Sequence, residues 1–201
     1  MIWWLKARGV PAIGAAILGT FLLALVVRQE AIPVPSVLGS SSQLLVTQIL
    51  GVFPAVLLLH GIDRGDVISE EVALRHRGRR NVALCFVFAF VSVALAAAVQ
   101  LSGDRPEALS LARNSVGFLG AALIMRALLG PGIAAICVAT LPLACAVAGR
   151  NAGGTVQPWA WPIHEPSSDL GAAEAAILFV VGCAFLLWRR RPVLDPLGRP
   201  A

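Results

Sequence analysis

Residues Asn81–Leu101 read NVALCFVFAFVSVALAAAVQL, an unbroken run without a single formal charge. About 20 mostly apolar residues in a helix cross the hydrocarbon core of a bilayer. Leu, Ala, Val and Phe follow one another here with no alternation of period two, so the run is a spanning helix and not a barrel strand. Working outward, comparable runs occur at Pro11–Val27 and Gln43–His60 before it, and at Ser110–Leu129, Gly132–Ala148 and Ala172–Trp188 after it. The run 110–129 is the least clean, because Arg113 and Arg126 lie near its two ends, within snorkelling reach of an interface. Composition agrees with six spans. Of 201 residues 58% are hydrophobic and 13% charged, where a soluble domain carries about 25% charged residues. The expected fold is an all-α integral membrane domain over 1–201, with a short interfacial N-terminal segment. Lys6 and Arg8 ahead of an apolar run resemble a signal peptide, but no A-x-A site follows Val27, so an uncleaved first helix is expected.

The formal net charge of +5 would point to nucleic acid in a soluble protein. In a polytopic chain it reflects basic loops facing anionic lipid, and no nucleic-acid partner is expected. Twelve of the sixteen basic residues fall on one side of the predicted spans, in the N-terminus, the 61–80 loop, the fourth-to-fifth turn and the C-terminal tail. The other side holds Arg28, Arg105, Arg113 and Arg150. Both termini are therefore expected in the cytoplasm.

Catalytic signatures are missing: no GxxxxGK[ST], no GxSxG and no HExxH. The reading is of a chain that is not itself an enzyme. Cys85, Cys137, Cys145 and Cys183 all lie inside apolar runs and read as structural thiols. His60, His76 and His164 are spread over both sides of the membrane, and no metal site is expected of them. Glu174 is the one acid inside a predicted span, and it lies near the outer end rather than at mid-membrane. A transporter of this composition would draw its energy from another subunit.

Two stretches outside the spans are structured by their composition. In the 61–80 loop Ser69 is placed to cap a short helix with Glu70 and Glu71 in its first turn and Arg75, His76 and Arg77 in its last, matching the helix dipole. Val72 and Leu74 give that helix apolar contacts, either for a cytoplasmic subunit or for the membrane surface. The outer segment 149–171 holds Pro158, Trp159, Trp161, Pro162 and Pro166, a composition for a rigid structure at the interface rather than a loose linker. Gly153 and Gly154 permit a tight turn, and Ser167, Ser168 or Asp169 can cap the last helix. Pro54 and Pro142 fall inside the second and fifth spans, and the small-residue pairs Ala12/Ala16, Ala94/Ala98 and Ala144/Ala148 permit close helix packing.

The order of these parts resembles the permease subunit of ABC-2-type exporters. Three stretches are similar to the actinobacterial branch of that family: FPAVLLLHGIDRGDVISEEVALRHRGRR over Phe53–Arg80, RNSVGFLGAALIMRALLGPGIAAICVATLPL over Arg113–Leu143, and WAWPIHEPSSD over Trp159–Asp169. The resemblance implies a multi-pass half-transporter of the bacterial cytoplasmic membrane, and the apolar spans with few charges favour an amphipathic or hydrophobic substrate over a sugar or an ion. A second permease chain, identical or homologous, would enclose the pathway, and separate subunits would bind ATP and Mg. By position the helix docking in the ATPase is Ser69–Arg77, with Glu70, Glu71, Val72, Leu74 and Arg75 as contacts. The segment before the last span would be re-entrant, with Trp159 and Trp161 as an external gate. The competing reading is a non-transporting membrane partner, such as an immunity or assembly protein.

Overall fold

The computed structural model describes residues 5, 6, 8–27, 30–34, 42–64, 77–103 and 105–188, with the backbone alone for 42–44 and 77. Helix α1 is Val10–Val27. A two-stranded antiparallel pair follows, β1 (Ala31–Val34) and β2 (Ser42–Leu45), with Ala31 opposite Leu45 and Val34 opposite Ser42. Then come α2 (Val46–Leu50), α3 (Val52–Asp63), α4 (Arg77–Ser102), α5 (Pro106–Leu129) and α6 (Pro131–Ala148). A single 3-10 turn at Trp161–Ile163 precedes α7 (Asp169–Trp188). With α2 and α3 counted as one interrupted span, six helical segments are long and apolar enough to cross a membrane. An 18-residue helix is about 27 Å long, close to the roughly 30 Å hydrocarbon core. The chain is an all-α, multi-pass membrane protein.

The second span begins three residues later than its hydropathy predicts, at Val46 instead of Gln43, because Ser42–Leu45 pair with β1. Its interruption has a local cause. Pro54 has no N–H to offer the Leu50 carbonyl, and the chain breaks helical continuity at Gly51. Between α5 and α6 a single residue, Gly130, suffices for the reversal. Gly130 sits at φ +87°, a region open to glycine, and Pro131 opens the next helix.

At the centre of the bundle is α5, in contact with α1, α2, α3, α4, α6, α7 and the 3-10 turn. Seventy-eight per cent of its spanning residues are buried, against 28% for α4. It is also the least apolar of the six. The two facts have one cause: a helix screened from lipid by its neighbours can carry polar groups that a peripheral helix cannot. Arg113, Asn114 and Ser115 are all buried on it. The peripheral helices are apolar on both faces. On α1, Ile13, Ile17, Phe21 and Ala24 face the core while Leu18, Leu22 and Val26 face out; on α4, Phe86, Val87, Phe90 and Val93 face out. Such a continuous exposed apolar belt is at home in lipid and not in water.

The closest helix pair is α5 against α7, which run parallel. Arg113 lies beside Gly171, Gly117 beside Ala175, and Gly120 beside Leu178, Phe179 and Gly182. A side-chain carbon on Gly120 would overlap the backbone of Leu178 and Phe179, and one on Gly182 would press on the Gly120 carbonyl. Small residues drive close approach of membrane helices by letting backbones touch. The expected alanine pairs do not serve this purpose. Ala12, Ala94, Ala98, Ala144 and Ala148 are exposed on the outer surface of the bundle, and glycines on the two polar-ended spans make the contact instead. We expect Gly120→Leu to force α5 and α7 apart and to destabilise the protein by at least the roughly 1–3 kcal/mol of core overpacking. Gly14→Ala, where nothing lies within 4 Å, should be neutral or slightly stabilising. Thermal unfolding of the two detergent-solubilised variants, followed by size-exclusion fluorescence, makes the comparison; equal melting temperatures would refute the glycine contact.

Candidate functional site

Residues 149–168 join α6 to α7 as a folded unit. The Arg150–Val156 bridge closes a small loop in which Gly154, at φ +79°, donates its N–H to the Asn151 carbonyl. Of the three candidate caps it is Ser168 that serves α7, its Oγ accepting the Gly171 N–H at 3.2 Å. Between these ends Ala160, Trp161, Pro162 and Ile163 are buried, with Ala160 and Ile163 packed on Cys145 and Ala146 of α6. The composition of Pro and Trp, taken from the sequence as rigid, does form an ordered structure.

The segment is held by the first turns of α5. Arg113 donates from Nη1 to the Glu165 carbonyl at 2.7 Å and from Nη2 to the His164 carbonyl at 2.9 Å. Its Nε reaches the Asn114 side-chain oxygen at 3.2 Å, and Asn114 in turn donates from Nδ2 to the Pro162 carbonyl at 3.0 Å. Three backbone carbonyls of this non-helical segment, those of Pro162, His164 and Glu165, thereby accept side-chain donors inside the protein. The sequence places Arg113 within reach of an interface. Instead it is 8% exposed and turned inward. Arg126, the other charge on this helix, pairs with Asp63 at the far end of the bundle.

The two tryptophans are placed unequally. Trp161 is 4% exposed and packs on Phe118 with ring centroids 4.8 Å apart, over Gly117, where a Cβ would collide with the indole. It is part of this chain's own core and not of a headgroup layer. Trp159 is 48% exposed, its Nε1 donating to Gln157 at 2.7 Å. Both rings line a cleft of about 360 Å³ that α7 closes with Glu174, Ile177 and Leu178, while Ala121 and Met125 of α5 form its floor. Glu174 Oε2 is buried there without a hydrogen-bond partner, in the electrostatic field of Arg113 and His164. A larger groove of about 620 Å³ lies between α1, the broken second span and α6, and its lining is almost wholly apolar.

Glu70, Glu71, Val72, Leu74 and Arg75 of the expected docking helix lie outside the described residues, as do Trp3 and Trp4. Cys85, Cys145 and Cys183 are buried free thiols and Cys137 is partly buried. His60 is exposed at one end of the bundle and His164 half-buried at the other; among the described residues no three His, Cys, Asp or Glu side chains gather as metal ligands. The sequence reading missed the clamp. The signal for it was the triplet Arg113-Asn114-Ser115 followed by glycines at 117 and 120, a polar and small face on a span that must otherwise meet lipid.

Comparison of the chain with protein-family models, with curated proteins and with solved structures returns no match.

Losing the clamp should release the segment. In Arg113→Ala the His164 carbonyl loses its donor, at about 1–3 kcal/mol, and the Glu165 carbonyl keeps only the Ser168 N–H. A cysteine at Ala160, which is fully buried, should resist a membrane-impermeant maleimide in the parent and react readily once Arg113→Ala is added. Protection that persists in the double variant would show that packing alone holds the segment.

Proposed function

We propose that this chain is the permease subunit of an ABC-2-type exporter of the bacterial cytoplasmic membrane. In this reading it pairs with a second permease chain and moves an amphipathic or hydrophobic substrate with energy from a separate ATP-binding subunit. The observation that supports it most directly is the ordered segment before the last span, seated on α5 by Arg113 and Asn114. A merely connecting loop has no need of a buried arginine; a structure that holds the outer mouth of a pathway does. A second support is that α5 fills the middle of the bundle. The clefts found among the described residues are peripheral, so a pathway would run along the face of one chain and be completed by another.

Orientation belongs to the same proposal. Arg8, Arg64, Arg79, Arg80 and Arg126 gather at the end where α1 begins and α3 and α5 finish, and Arg105, Arg113 and Arg150 lie toward the other. By the positive-inside rule the first end is cytoplasmic. Cysteines placed at Ser41 and Ser168 should then label from outside intact cells and one at Ser69 only after permeabilisation. Labelling of the Ser69 position from outside would reverse the orientation and remove the ATPase contact with it.

Energy coupling has its own test. Leu74→Arg or Glu71→Lys should leave membrane insertion unchanged and abolish most co-purification with an ATP-binding subunit, with ATP-driven efflux falling at least tenfold. Full activity and assembly in both variants would instead favour a lipid-facing loop. If the purified complex contains no ATP-binding subunit at all, the non-transporting reading, an immunity or assembly protein, takes its place.

A further inference from the structure

We propose that the cleft beneath Trp159 and Trp161 is a binding site for an amphipathic cation, with Glu174 as its counter-charge. Three features of the cleft converge on that chemistry. Its walls are apolar, supplied by Ala121, Met125, Ile177 and Leu178, so they accept a hydrophobic body and offer nothing to a sugar or an inorganic ion. Two indole rings lie at one end, Trp161 fixed by Phe118 and Trp159 half-exposed. Indole attracts cations through its ring electrons and does so more strongly where water is scarce. Between rings and apolar walls stands one carboxylate, whose Oε2 is buried and has no hydrogen-bond partner.

Leaving a carboxylate oxygen bare in such surroundings is costly unless a partner arrives. Arg113 does not supply one. Its donors go to the carbonyls of His164 and Glu165 and to Asn114, and it acts on Glu174 only through space. A cationic head seated against Glu174 would complete the site, with its apolar part directed along the floor toward Met125. A ligand bearing negative charge would be opposed by Glu174 and would find the Arg113 donors already committed to Asn114 and to the His164 and Glu165 carbonyls. The volume of about 360 Å³ suits a small rigid amphiphile rather than a polymer. The assignment rests on the permease reading only for calling the ligand cargo, since binding itself needs no second subunit.

The test compares two probes of similar shape and different charge on the purified full chain in nanodiscs of zwitterionic lipid, with empty nanodiscs subtracted. Radiolabelled tetraphenylphosphonium should bind at least tenfold more tightly than neutral, radiolabelled triphenylphosphine oxide. Glu174→Gln should remove that preference by weakening the cation at least tenfold while the neutral probe stays within twofold. Trp159→Ala should weaken both. Equal affinity of the two probes for the unmodified chain overturns the proposal whether or not Glu174→Gln folds. So does a cation preference that survives Glu174→Gln, or a parallel loss of both probes in that variant, which would make Glu174 only a structural counter-charge to Arg113. Because no ATP-binding subunit is present, failure here leaves the permease reading standing, and failure of the co-purification leaves this site standing.

Discussion

A guanidinium buried among helices is the constraint from which the rest of this architecture follows. Arg113 cannot face lipid, and it cannot be left without acceptors. Its acceptors are backbone carbonyls of the segment before the last span, and that segment can supply them only by folding inward over the first turns of α5. Once it does so, Trp161 is carried onto Phe118 and Gly117, and the start of α7 is brought to within contact of Arg113 itself. The parallel alignment of α5 with α7 is then set residue by residue, down to the backbone contact at Gly120 and Gly182.

The central position of α5 also explains an inversion in the hydropathy of the spans. In a soluble protein the most apolar helix is the most buried. Here α4, the most apolar, presents most of its surface outward, and α5, the least apolar, is enclosed. Lipid takes the role that a core plays in water, so polarity concentrates inside. Asp63 with Arg126 and the Arg8 guanidinium on the Ile62 carbonyl show the same economy at the opposite end of the bundle.

Much of the fold was legible because bilayer thickness imposes a length on apolar runs. The first and fifth spans begin within a residue of where hydropathy places them, at Val10 and Pro131. Errors arise where another rule takes over. Strand pairing delays the second span to Val46, and helical hydrogen bonding carries α4 back to Arg77, past the point where apolar residues end. The site was less legible. Trp159 and Trp161 were identifiable as structured, but their unequal burial depends on Gly117, a residue distant in sequence whose only contribution is the space it leaves. Arg113 read as a residue at the edge of its span because charge in a membrane segment is normally drawn to water; its two backbone acceptors lie 51 and 52 residues further on. No local pattern carries information across that gap.

That separation has a consequence for how the protein is made. A ribosome adding about 5–20 residues per second reaches the acceptors of Arg113 about 3–10 s after Arg113 itself has been synthesised. Throughout that interval the least apolar span carries an arginine without its native partners, and α6 enters the membrane before they arrive. The fifth span, α6, is thus asked to pass a span that is not yet settled. Release of α5 into the bilayer should wait on residues 162–171, and a photocrosslinker on α5 should still capture the insertion machinery in nascent chains halted before them and should no longer do so in longer ones. The clamp that orders the segment before α7 in the mature protein is, in the nascent chain, the last step that commits the middle of the bundle to the membrane.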